Sequence, residues 1–366
     1  MEVYIFLFVI TTIVSLLDFT NLSNKYKYGI ILFLGIIYIF ISGFRGNNQD
    51  WNIYYPFFRD NFTWNDFIYN EIDPMDKGYA FINFIIKSFT DNYNILLFLL
   101  AIVIITIKLN FIIRLSIFPL ISLIYWLGSN ITDIFFVRQQ LSVAITIIAF
   151  YFILKRNIVG FLFFTIIASA IQISAIAFFP AYYIFYKRIK IKYLIYGILF
   201  SIFVGNFLKM DIFLKIWGLF GTLLPDSDRL SDKVDLYAYY YDASKEASTF
   251  IMGYIRRLLF LPLELWAILK IEKYLPNYRG YINLIVLGCI IQFLLGNVST
   301  IIAGRMSSFY NVYEIILLPA ILILIRSIKL RFLAFLVILF LSILKYVYAI
   351  NEYPDVYIPY INILFN

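Results

Sequence analysis

Residues 93–107 read YNILLFLLAIVIITI, and the run stays apolar until Lys108. Nothing polar interrupts it between Asn94 and Thr106. A helix built from it is apolar all round, which marks deep core or a membrane span rather than a surface helix. Similar runs recur at Asn283–Leu295 and Phe332–Leu344 and along the rest of the chain, so this is no soluble domain with a single anchor. Of 366 residues, 63% are hydrophobic and only 14% charged. A soluble chain of this length buries about three-quarters of its surface on folding, too little to hide so much apolar surface. Lipid is the solvent that removes the difficulty.

The fold class that follows is an all-α polytopic integral membrane protein, one transmembrane domain over residues 1–366, with about twelve spans (eleven to thirteen). The expected spans are Val3–Leu22, Tyr28–Phe44, Tyr93–Ile107, Leu115–Ser129, Ile134–Leu154 and Ile158–Ile171. They continue with Ser174–Tyr186, Tyr193–Phe207, Phe250–Leu269, Tyr281–Val298, Phe309–Ile325 and Phe332–Ala349. The first segment has no basic n-region and no small-residue cleavage site, and reads as a retained helix. The stretch Ile158 to Tyr186 is too long for one upright helix. Lys155-Arg156 before it and Lys187-Arg188 after it both belong in the cytoplasm, so the chain is expected to turn back near Gln172.

The formal charge of +8 resides in short basic clusters between apolar runs. Lys25, Lys27, Lys108, Arg114, Lys270, Lys273, Arg326, Lys329 and Arg331 alternate onto one side, as the positive-inside rule requires, and call for no nucleic acid. Two long loops, about 45–92 and 209–249, then fall outside the cytoplasm, as do both termini. The first carries Asp50, Asp60, Asp66, Glu71, Asp73, Asp76 and Asp91; the second carries Asp226, Asp228, Asp232, Asp235, Asp242 and Glu246. Both are rich in Tyr, Trp and Phe, unlike disordered linkers, and are expected to form short amphipathic helices near the bilayer surface.

Several chemistries are excluded. The chain has no histidine, and its one cysteine, Cys289, lies in an apolar run. Imidazole catalysis, histidine metal sites and thiolate metal sites are therefore closed. No phosphate-binding loop, dinucleotide fingerprint or zinc-protease motif occurs, and neither a metal nor a cofactor is expected.

The informative residues are polar ones that hydrocarbon should reject. Arg138 follows Asp133-Ile-Phe-Phe-Val and precedes Gln139, Gln140 and Ser142 at the start of a span. Such an arginine costs several kcal/mol without a partner or a wet cavity; snorkelling to the outer surface is the alternative. Arg45 ends the second span and Arg305 stands in Ala303-Gly-Arg-Met-Ser-Ser-Phe309, both expected outside. Guanidinium forks suit phosphate, although each could instead anchor a helix end among headgroups. Asp50, Asp73 and Asp76 are the candidate bases, each also readable as a solvated charge or helix cap.

Four stretches in this order resemble the EpsG-like branch of the Wzy-type polysaccharide polymerases. They are Phe44-Arg45 with Asp50-Trp51 and Tyr54; Asp76 with Gly78-Tyr79 and Asn83; Arg138-Gln139; and Arg305 with Phe309-Tyr310 and Pro319. A fifth, Ala168-Ser-Ala-Ile-Gln172-Ile-Ser174, carries Gln172 where that family usually has a histidine. The resemblance implies a membrane glycosyltransferase of the helical C class, an O-antigen or polysaccharide polymerase in the bacterial inner (cytoplasmic) membrane with its site facing the periplasm or outside. It would transfer a growing glycan from undecaprenyl pyrophosphate to the non-reducing end of a new lipid-linked repeat unit, without metal or nucleotide. Asp50, Asp76 and Arg138 are then expected as catalytic residues, and Arg45, Tyr54, Tyr79, Gln139, Gln172, Ser174 and Arg305 as substrate-binding residues. The partners implied are the lipid-linked oligosaccharide and the bilayer, with a chain-length regulator left open. A transporter or flippase of lipid-linked oligosaccharide would share the helices and the arginines, but no internal repeat of the kind such proteins show is visible.

Overall fold

The computed structural model describes residues 2–46, 51–60, 75–131, 135, 137–208, 261–268, 270–352 and 354–364. In chain order its helices are α1 (Glu2–Ser15), α2 (Asn24–Gly43), α3 (Trp51–Asp60), α4 (Lys77–Lys87), α5 (Tyr93–Leu115), α6 (Pro119–Ser129), α7 (Val137–Leu154) and α8 (Ile158–Ile171). Then follow α9 (Ala181–Phe185), α10 (Ile191–Phe207), α11 (Tyr278–Leu295), α12 (Thr300–Asn311), α13 (Glu314–Ala320), α14 (Ile328–Glu352) and α15 (Pro354–Tyr357). Among the described residues the extended backbone amounts to an isolated antiparallel bridge between Arg45 and Asn362.

Among the described residues six helices are long and apolar enough to cross a bilayer: Glu2–Phe19, Asn24–Gly43, Tyr93–Leu115, Val137–Leu154, Tyr278–Leu295 and Ile328–Asn351. A seventh arises if Thr300–Asn311 and Glu314–Leu324 count as one broken span. The chain is a multi-pass helical membrane protein. The expected span Phe250–Leu269 lies largely outside the described residues, and the remaining ones are shorter or interrupted. Helix α6 has 11 residues and begins at Pro119, which has no N–H to continue a helix from Leu115. The stretch expected at Ser174–Tyr186 is a 3₁₀ segment, Ile173–Phe178, followed by the five residues of α9. The helix breaks where the chain was expected to turn back: α8 stops at Ile171, and Gln172 is extended and buried.

The chain forms two compact units, Met1–Ile173 with Ile315–Asn366, and Ser174–Glu314. In the second, α11 packs against α9, α10 and α12. Its buried Asn283 donates to the carbonyls of Ile184 (3.0 Å) and Lys187 (2.7 Å), tying α11 to the C-terminal end of α9 and the residues just after it. Helix α10 buries Leu194, Ile198, Ser201 and Gly205 and leaves Tyr196, Phe200 and Phe203 exposed, a one-sided pattern suited to lipid.

In the first unit, α2 packs on α5, α5 on α7 and α7 on α8, while α1, α2 and α14 all touch α6. Helix α6 is the hub, with Leu120 to Leu127 fully buried. Its start is unusual. Phe118 stands at the N-cap and offers no side-chain acceptor. Asp18, more than a hundred residues earlier, supplies it instead: Oδ2 accepts from the N–H of Leu120 (2.8 Å) and Ile121 (2.9 Å). Its other oxygen lies 3.0 Å from Lys27 Nζ, and the aspartate side chain is wholly shielded. One carboxylate thus caps α6 and joins α1 to α2.

Lys108 differs from expectation. Helix α5 runs on to Leu115, and Lys108 is buried within it rather than flanking it at the cytoplasmic surface. It is accommodated because Nζ donates to Gln140 Oε1 at 2.8 Å. Lys345, within α14, likewise donates to the hydroxyls of Tyr125 and Ser129 on α6.

Breaking one side of a buried pair strands the other charge, at a cost of about 3–5 kcal/mol. Asp18→Asn is therefore expected to lower the melting temperature of the purified protein in detergent sharply. Asp18→Asn with Lys27→Met should recover part of that loss, a coupling that a double-mutant cycle on the melting temperature would read.

Candidate functional site

Helix α4 positions the first half of the site. Asp76 stands at its N-cap with extended backbone, and its carbonyl accepts the N–H of Tyr79 and Ala80, so the helix starts normally. Its side chain makes no capping hydrogen bond. The carboxylate turns toward Arg138, with Oδ2 3.5 Å from Nη1 and both side chains only 12% exposed. An N-cap aspartate that leaves the cap for a guanidinium forgoes about 1 kcal/mol of helix stability. The same arginine nitrogen lies 3.3 Å from Met75 Sδ, and its guanidinium sits over the Tyr54 ring at 6.0 Å. Tyr54, on α3, meets Tyr79 edge-on with centroids 5.7 Å apart.

The second half is the end of α8. Ser142, one turn beyond Arg138 on α7, donates to the carbonyl of Ala168 at 2.8 Å. A Cβ on Gly78 would fall 2.6 Å from the carbonyl carbon of Ala170 and 2.9 Å from Ile171 N, so only glycine lets α4 come so close. Asp76-Gly78-Tyr79, Arg138-Ser142 and Ala168–Gln172, far apart in sequence, therefore converge where α8 ends. Tyr79 is fully buried. Burial first, and Tyr54 second, push its phenol above the ordinary tyrosine range, against the opposing pull of Asn83, Arg138 and Arg45. It is a neutral hydroxyl and not a base. Its oxygen and Asn83 Oδ1 are buried without a hydrogen-bond partner.

Arg45 is also in this unit, 4% exposed. Nη1 donates to the carbonyl of Ser42 (3.1 Å) and to Ser42 Oγ (3.4 Å), and Nη2 to the carbonyl of Phe135 (2.7 Å). It thus caps the C-terminal end of α2, where a cation is favoured, and adds positive potential at Tyr79. Gln139 is half-buried beside Arg138, and Gln172 is buried at the end of α8. Ser174 and Arg305 belong to the second unit, both half-buried, Arg305 within α12. Asp50, Asp73 and the loop 209–249 lie outside the described residues. Met75 was not anticipated; a lone methionine in an acidic loop carries no signal by itself.

Fold and site together define a multi-pass helical membrane protein with a shielded carboxylate–guanidinium pair. The model of the EpsG family matches residues 28–362, and the chain belongs to that family. No curated protein and no solved structure matches the chain.

Alanine ordinarily stabilises a helix by about 1 kcal/mol over glycine. At position 78 the close approach reverses the sign: Gly78→Ala is expected to destabilise the protein by about 1–3 kcal/mol. A lowered melting temperature in detergent would show it, and an unchanged or raised one would remove the close contact with α8.

Proposed function

We propose that the protein is a polysaccharide polymerase that joins lipid-linked oligosaccharide repeat units. The growing glycan leaves its undecaprenyl pyrophosphate and bonds to a hydroxyl at the non-reducing end of a new lipid-linked unit. The Asp76–Arg138 pair carries this reading, shielded from bulk water and bordered by Tyr54 and Tyr79. Family membership supports a role in polysaccharide biosynthesis. In this proposal the chain spans the inner membrane about twelve times as one transmembrane domain, with the pair opening to the non-cytoplasmic side.

The chemistry follows from the pair. A pyrophosphate oxygen entering beside Arg138 replaces the carboxylate as its partner, with fork geometry suited to two phosphate oxygens. Asp76, released from its counter-charge, then serves as the base. It takes the proton of the acceptor hydroxyl as that oxygen bonds to the anomeric carbon and the bond to the pyrophosphate breaks. Negative charge gathers on the leaving group, where Arg138 and the positive potential of Arg45 oppose it. Asp50 is a second candidate base on the segment after Arg45. The rings of Tyr54 and Tyr79 and the side chains of Gln139, Gln172 and Ser174 are assigned to the sugars, and Arg305 to phosphate. The bond energy already stored in the donor drives the transfer.

Surface polysaccharide from a strain lacking the gene, displayed on a gel with and without the gene restored, tests the reading. Single repeat units on the acceptor, with the ladder restored by the gene, are expected. Loss of even the single-unit band would give the lead to a transporter of lipid-linked oligosaccharide. Arg138→Ala is expected to lower polymer by about 100-fold or more at unchanged protein level, the scale of removing one charge-stabilising donor. Arg138→Lys, which keeps the charge and loses the fork, should remain well below the parent. Full-length ladders from Arg138→Ala would sink the assignment.

A further inference from the structure

The segment Tyr357–Ile363 lies against the residues that carry Arg45, and helix packing does not account for it. The N–H of Gly46 donates to the carbonyl of Ile361 at 2.7 Å, and the N–H of Ile363 to the carbonyl of Phe44 at 2.9 Å. These two bonds frame Arg45 opposite Asn362 in the antiparallel bridge. Tyr360 donates its hydroxyl to the carbonyl of Ile41 at 3.0 Å, and Asn362 Nδ2 donates to that same hydroxyl at 2.9 Å. A ring cluster of Tyr4, Phe135, Tyr357 and Tyr360 fixes the segment from behind, and Tyr4 donates to the carbonyl of Tyr357 at 2.8 Å. Phe135 closes the circuit: its ring lies under the Arg45 guanidinium at 5.5 Å, and its carbonyl accepts from Nη2.

We propose that Tyr357–Ile363 is a positioning strap for the catalytic site: by pairing with Phe44–Gly46 it fixes Arg45, without touching substrate. The inference rests on the polymerase reading for its activity readout. The physical reason is the backbone. The Phe44 amide still bonds to the Phe40 carbonyl, but the Phe44 carbonyl and the Gly46 amide lie past the end of α2 and need partners that lipid cannot offer. The strap supplies them. Once both groups are bonded, the Arg45 side chain is set by the backbone pairing and by Phe135.

Gly46 gives a test that does not remove the strap. A Cβ there would stand 2.7 Å from Ile361 Cγ2 and 3.1 Å from its Cβ. Gly46→Ala therefore pushes the two segments apart, and Ile361→Ala in the same chain makes room again. Gly46→Ala is expected to lower polymer yield about tenfold, by a fall in kcat with KM for the lipid-linked unit little changed. Protein level should stay at the parental value, and the melting temperature in detergent should fall far less than for Gly78→Ala, since the new methyl meets a side chain rather than backbone. The double variant should regain at least half the yield. A chain ending after Pro359 should lose polymer as Gly46→Ala does and show faster hydrogen exchange at the Gly46 amide. Parental yield from Gly46→Ala, a loss that Ile361→Ala leaves unrelieved, or a loss matched by a melting temperature as low as that of Gly78→Ala would overturn the strap. If the intact gene restores no ladder, the polymerase reading fails by itself. The Gly46 amide then decides alone, and unchanged exchange in the shortened chain refutes the strap.

Discussion

An ionised side chain inside an apolar bundle has to be met by a counter-charge or by hydrogen bonds from another segment, and that constraint organises the first unit. Asp18 is met by Lys27 and by two amides of α6, which ties the first span to the second and to the hub helix. Lys108 is met by Gln140, joining α5 to α7. Lys345 is met by Tyr125 and Ser129, joining α14 to α6. Apolar contacts in a bilayer discriminate poorly between helix partners, because the tails are as apolar as the side chains. The polar links choose the partners.

The candidate site obeys the same constraint with the opposite outcome. Asp76 and Arg138 meet across two helices, yet at 3.5 Å the contact is looser than the 3.0 Å between Asp18 and Lys27. Around it stand a thioether, two tyrosine rings and the crowded backbone of Ala170. A charge-assisted hydrogen bond is shorter and stronger than such a contact. The Asp18 carboxylate is held by two amides and a lysine, whereas the Asp76–Arg138 contact rests at the longer distance.

How much of this was legible in the sequence depended on range. Helix α8 has the bounds read from hydropathy, Ile158–Ile171, because apolar run and basic flanks are local signals. The break at Gln172 falls where charge alternation placed a reversal. Arg138 drew attention as a cation in an apolar span, and Asp76 as a carboxylate in a short motif, though nothing local said they would pair. Lys108 was read as a flank because hydropathy cannot see Gln140. The capping of α6 by Asp18 and the pairing of residues 44–46 with 361–363 were invisible. Both are backbone hydrogen bonds between distant segments, and they leave no periodic trace.

The pairing between Tyr360 and Ile41 spans 319 positions of the chain. A ribosome adds residues in order, so α2 is made and inserted long before its partner emerges. During that interval the Phe44–Gly46 backbone has no strap, and Arg45 has no ladder to hold its direction. Arg45 reaches its final setting only when nearly all of the chain has been synthesised. A translation product cut short between Arg138 and Tyr360 would carry both members of the Asp76–Arg138 pair and still lack the strap that holds Phe44–Gly46.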